Sequence, residues 1–169
     1  MQIQQLQVAF DARADRLTLR IATAEREEVQ VALTRRLVKA LWPHLQRMLE
    51  GHLAGTDVAA PIADASTPAV DRGSYAEPYD DADLAHPLGV EPLLAMESRL
   101  QPVDGPLCRV MLGEVRARQV TFDCDRDLML ALCAMIRATV DKADWGLDLD
   151  ALGAAVTPAV PSENTPTIH

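Results

Sequence analysis

Aromatic side chains are scarce in this chain: two Trp, two Tyr and two Phe make up 4% of its 169 residues. Sheet surfaces that hold single-stranded nucleic acid use such rings as stacking platforms, each base adding about 1–3 kcal/mol. The scarcity therefore weakens that class from the outset. Cysteine is also sparse, with three residues and no C-x-x-C pair, which does not describe a disulfide framework. The eight glycines are scattered. No phosphate-cradling loop and no G-x-S-x-G nucleophile turn can be built from them. No stretch reaches the ~18 apolar residues that a membrane span needs. The start, MQIQQLQVAF, has neither the basic nor the apolar segment of a secretion signal. Together these absences lead us to expect a soluble, cytoplasmic protein with no membrane association.

Apolar residues make up 49% of the chain and charged residues 24%, enough for one domain with a real core. The net charge of −9 is unevenly spread. Residues 1–55 sum to +2, 56–106 to −8, 107–145 to zero and 146–169 to −3. The acidity belongs to a central segment and the tail, so the low overall charge says little about what a core would bind.

What the sequence does contain is one pattern written twice, 91 residues apart and without a gap. Leu17, Leu19 and Ile21 alternate with polar residues, as do Cys108, Val110 and Leu112. Val29, Val31 and Leu33 follow, matched by Val120, Phe122 and Cys124. Thr34 and Asp125 then stand where helices would start. Leu37, Val38, Leu41 and Leu45 recur at helical spacing, matched by Leu128, Met129, Leu132 and Ile136. Only five of the 33 aligned positions are identical, Arg35/Arg126 and Leu41/Leu132 among them. The pattern therefore predicts similar structure without establishing a duplication.

These signals predict an α+β fold of two strand–strand–helix units plus an N-terminal strand. They would form one antiparallel sheet of about five strands with two helices on one face. The divisions are a first unit at 1–54, an acidic Pro- and Ala-rich linker at 55–106, a second unit at 107–146 and a flexible tail at 147–169. The linker carries seven of the eleven prolines and reads as flexible. Within it, Glu91–Leu100 could form a short helix through Leu93, Leu94, Met96 and Leu100. In the first unit the helix spans about 35–53, with Pro43 bending it and Gly55 as a stop. The second unit's helix spans about 126–143.

Candidate chemistry is thin. His44 and His52 lie on about the same side of the first helix after two turns, but no close ligand pair of a zinc site exists. We expect no metal, no cofactor and no enzymatic activity. Cys108, Cys124 and Cys133 fall on core faces and read as small buried hydrophobes. The acids Asp123, Asp125 and Asp127 are explained by helix capping and the helix dipole.

The linker is the better functional candidate. Tyr75, Tyr79, Asp80, Asp81, Asp83 and Leu84 combine rings, acids and an apolar side chain, a mixture that can fold onto a partner. The expectation is a non-enzymatic adaptor that binds a protein partner through its sheet–helix core and this segment, with a homodimer through strands or helices as a further expectation. The alternative is a nucleic-acid-associated regulator using Arg20 and Arg109 on the sheet with Arg35, Arg36 and Lys39 on the first helix.

Overall fold

A computed structural model describes residues 1–54 and 78–154. Within them the chain is α+β, with seven strands in two sheets and three helices. The strands are β1 (Ile3–Asp11), β2 (Arg16–Thr23), β3 (Glu28–Thr34), β4 (Leu93–Ala95), β5 (Glu97–Val103), β6 (Leu107–Gly113) and β7 (Gln119–Cys124). The helices are α1 (Arg35–Glu50), α2 (Arg126–Ala143) and α3 (Leu149–Ala154).

The expected single sheet is instead two. One has the order β1-β2-β3-β4 and the other β5-β6-β7. Hairpin neighbours pair antiparallel, while β4 joins β3 in parallel. The chain changes sheet at Met96, whose amide donates to the carbonyl of Gly113 at 2.8 Å. Glu91–Leu100 is accordingly not helical. Leu93 and Ala95 are buried with Leu94 half-buried between them, a short strand alternation that the apolar cluster conceals. β5 is an edge strand with no fully buried side chain, so it leaves almost no hydrophobic period to read. Ordered structure thus enters the expected linker, and α3 enters the expected tail, where Leu149 is buried against the core.

Both helix starts follow from their caps. The Thr34 hydroxyl accepts from the Leu37 amide at 3.1 Å, and the Asp125 carboxylate accepts from the Leu128 amide at 2.8 Å. α1 runs through Pro43 as one element and ends before Gly51, not Gly55. A Cβ on Gly51 would lie 2.9 Å from the Arg47 carbonyl oxygen, so the close approach that closes this helix end requires glycine. β2, β3 and α1 begin at Arg16, Glu28 and Arg35; β6, β7 and α2 begin at Leu107, Gln119 and Arg126, each 91 positions later. The cross-strand pairs Leu17–Leu33 and Cys108–Cys124 keep the same offset.

The helices reach across between the sheets. α2 packs against β1 and β2 as well as β7, and α1 packs against β5 as well as β3. The Thr139 hydroxyl on α2 donates to the Met135 carbonyl at 2.7 Å and lies 3.3 Å from the Val8 carbonyl on β1. Beyond α2, the Trp145 indole donates to Asp15 at 2.7 Å and meets Phe10 edge-on at 6.3 Å. One apolar cluster results, with Leu19, Val31 and Trp42 joined to Val110, Phe122 and Ile136. Neither sheet can lose its neighbour's helix without exposing its buried face to water.

Replacing Ile136 with Ala should cost about 2–5 kcal/mol in urea unfolding, because the side chain is fully buried. Thr121→Ala on the exposed face of β7 should stay within about 0.5 kcal/mol. Similar shifts for both would contradict this placement of the core.

Candidate functional site

Alternation along β2 and β3 sends Leu19 and Val31 inward, so Arg20 and Gln30 face outward as a cross-strand pair. Gln7 of β1 lies opposite Arg20 on its other side. Glu28 belongs to the same outward row, yet it is 1% exposed. Burying an ionised carboxylate is costly unless hydrogen bonds and an opposite charge compensate. Here they do. Arg20 Nη2 lies 2.7 Å and Nε 2.8 Å from Glu28 Oε1. Gln30 Nε2 donates to Oε2 at 2.7 Å, and the Tyr79 hydroxyl donates to Oε1 at 2.8 Å. His86 Nδ1 stands 3.5 Å from Oε2.

The cover over Glu28 is the segment 79–86. The Arg20 guanidinium lies 4.3 Å from the Tyr79 ring centre in a cation–π contact. The Ala85 carbonyl accepts from the Glu28 amide at 2.7 Å, and the Ala85 amide donates to the Arg26 carbonyl at 2.9 Å. Arg26 also donates to the Ala82 carbonyl, and the Asp80 amide donates to Gln5 at 3.1 Å. Further on, Arg118 Nη1 donates to the carbonyls of Leu88 and Glu91, each at 3.0 Å. Arg118 is itself held by Glu114 at 2.6 Å.

Of the residues picked out from the sequence, Tyr79, Asp80 and Asp81 are thus brought together on the first sheet. Asp81 lies 3.4 Å from Arg20 but keeps 68% of its side-chain surface in water. Asp83 is exposed in the left-handed backbone region at φ 51°, and Leu84 is half-buried. Tyr75 lies outside the described residues. Arg109 is far along the chain from this group and pairs bidentately with Asp123 at 2.8 and 3.0 Å. Arg35, Arg36 and Lys39 are exposed on α1.

Glu28 is not marked by any sequence signal, whereas alternation places Gln30 on the outer face beside Arg20 and His86 falls in the linker. The cross-strand register of Arg20 and Gln30 is a legible signal, since alternation alone puts both on one face. The Tyr79–Glu28 contact spans 51 positions, and no local pattern encodes it.

The electrostatics follow from this packing. Burial by itself would push the Glu28 carboxyl up. Hydrogen bonds from Gln30, Tyr79 and Arg20, with the Arg20 charge, more than offset that and hold it below the usual range. Burial and the neighbouring Glu28 charge push the Tyr79 phenol up, so it remains a donor. The three cysteines are free and buried. Burial pushes the Cys133 thiol up to about 12 and raises Cys108 and Cys124 as well, which keeps them protonated and unreactive.

A second feature lies between α1 and β5. A groove of about 550 Å³ is bounded on α1 by Ala40, His44, Arg47 and Met48, with Gly51 and His52 just beyond the helix end. Its other wall is Ser98, Arg99, Leu100 and Pro102 of β5. The side-sharing histidines of the sequence therefore do meet one feature. Among the described residues no three His, Cys, Asp or Glu side chains gather in a way that could hold a metal ion. Nor is any helix long and apolar enough to cross a membrane. Comparison with known proteins finds no matching family model, no matching curated protein and no matching solved structure.

Glu28→Gln should destabilise the fold by about 2–3 kcal/mol, because Arg20 loses its buried counter-charge and keeps only the exposed Asp81. The carboxyl is depressed in the folded state, so the stability it contributes is present above its unfolded value near 4.5 and is lost as pH falls through the lower folded value. Urea midpoints of wild type and Glu28→Gln should differ at pH 7 and converge as the pH is lowered through the depressed folded value of Glu28. A difference that persists in acid would contradict the charged, compensated carboxylate.

Proposed function

We propose that this chain is a non-enzymatic adaptor that binds a protein partner through its sheet–helix core and the acidic loop at 79–84. The observation that carries this reading is that the loop is pinned at both ends while its acids face water. Tyr79 and Ala85 anchor on Glu28, and Asp80, Asp81 and Asp83 are exposed between them. A loop already ordered gives up less conformational freedom on binding than a free one. Three carboxylates on such a loop suit a basic surface of a protein partner.

In this reading the scaffold is one pseudo-symmetric domain made of two strand–helix units, working in the cytoplasm. A homodimer through edge strands is compatible with it. A second reading, nucleic-acid association, is favoured by the exposed Arg35, Arg36 and Lys39 along the first turns of α1. It is weakened by the engagement of Arg20 with Glu28 and Asp81 and of Arg109 with Asp123. A phosphate-binding face would make affinity fall steeply with salt.

The test is purification of the full-length protein at moderate salt with nuclease, comparing wild type with a double variant, Asp81→Asn and Asp83→Asn. Both side chains are exposed, so stability should change by no more than about 0.5 kcal/mol. A stoichiometric protein partner retained by wild type and lost by the variant is the expected result. Equal capture by both, or nuclease-sensitive material alone, would overturn the reading.

A further inference from the structure

The groove between α1 and β5 has a composition that points to a ligand class. Ala40, His44, Arg47, Met48 and Gly51 recur along one stripe of the helix, separate from the buried stripe of Leu37, Val38, Leu41, Trp42 and Leu45. Across from it, Ser98, Leu100 and Pro102 lie opposite Leu112, Val110 and Cys108 of β6. That is the inward face of the second sheet, yet at β5 none of the three is buried. Here α1 packs beside β5 without covering these side chains and leaves part of the inner layer unfilled.

Its lining combines apolar Ala40, Met48, Leu100 and Pro102 with basic His44, Arg47, His52 and Arg99. Among the described residues, none that lines the groove is acidic. One imidazole is oriented, since His52 Nε2 lies 2.9 Å from the Leu107 carbonyl. The volume of about 550 Å³ falls within the range of about 300–1,000 Å³ usual for ligand sites. The basic residues are spread along α1 from His44 to His52 just beyond its end, with Arg99 on β5. From Ala40 to Gly51 it is roughly 16 Å at ~1.5 Å per residue, the length of about five extended residues at ~3.3 Å each. Among the described residues β5 is bonded to β6 on one side only, so its other edge offers backbone donors and acceptors to an extended chain.

We infer that this groove binds an extended peptide segment of a protein partner in which acidic and apolar side chains alternate. The acids meet Arg47 and Arg99, and the apolar side chains lie on Met48 and Leu100. Guanidinium groups suit carboxylates because two parallel N–H donors match two oxygens. A fatty acid, with one charged end, would leave the basic groups along the rest of the groove without a counter-charge. The inference rests on the adaptor reading in taking the ligand to be protein, but the groove and the acidic loop share no residue.

The experiment uses isotope-labelled full-length protein and follows backbone NMR signals. The probe is an end-capped six-residue peptide alternating glutamate and leucine. Saturable shifts confined to Ala40–His52 and Ser98–Pro102 are expected. A glutamine–leucine peptide, decanoate, and a double variant carrying Arg47→Glu and Arg99→Glu should each bind at least about tenfold more weakly. Both arginines are exposed, and a dispersed spectrum verifies that the variant folds. If it does not, Arg47→Gln with Arg99→Gln takes its place. Equal binding of the glutamine peptide, tighter binding of decanoate, shifts elsewhere, or no saturable binding would overturn the inference. The Asp81→Asn, Asp83→Asn variant should bind the probe unchanged, so failure of the groove leaves the acidic-loop reading standing, and the reverse.

Discussion

One buried carboxylate governs the organisation of the first sheet's outer face. Glu28 is removed from water on a surface that alternation would otherwise leave solvated. An uncompensated charge there would be intolerable, so the surrounding groups are arranged to serve it. Arg20 provides the opposite charge, Gln30 and Tyr79 provide donors, and residues 79–86 exclude solvent. The Glu28 carboxylate helps to hold the cover through Tyr79 and Arg20, and the cover in turn keeps Glu28 out of water. The acidic segment is thereby fixed in position on the sheet, its own acids turned outward.

A second constraint is geometric. Two sheets of four and three strands share one apolar cluster because each helix crosses toward the other sheet. α2 answers the inward face of β1 and β2, and α1 leans toward β5. The coverage is not symmetric. α2 is anchored to β1 and to the turn after it through Thr139 and Trp145, whereas α1 leaves the inward side chains of β5 incompletely covered. The open groove is the consequence of that difference. A polar cluster sits on the outer face of one sheet and a half-apolar groove at the inner edge of the other.

Much of the scaffold was legible in the sequence because it is written in short-range periods. The alternations of β2, β3, β6 and β7 and the stripes of α1 and α2 could be read directly, as could the caps Thr34 and Asp125. What escaped depends on long-range contacts. β4 has three residues, and β5 buries too little to show a period. The division into two sheets follows from the parallel pairing of β4 with β3, which no local signal dictates. Tyr79, Asp80 and Asp81 stood out by composition, but their docking against Glu28 and Gln5 depends on contacts 51 and 75 positions away in sequence. Glu28 itself looked like an ordinary charged residue at a strand start.

The most direct test of this account is the backbone order of residues 79–86, measured by NMR relaxation on the full chain. Anchorage by Glu28, Arg20 and the Ala85 backbone predicts order parameters near those of β2, about 0.85. Values below about 0.6 across the segment would mean that the loop is free, and that the buried carboxylate does not hold it.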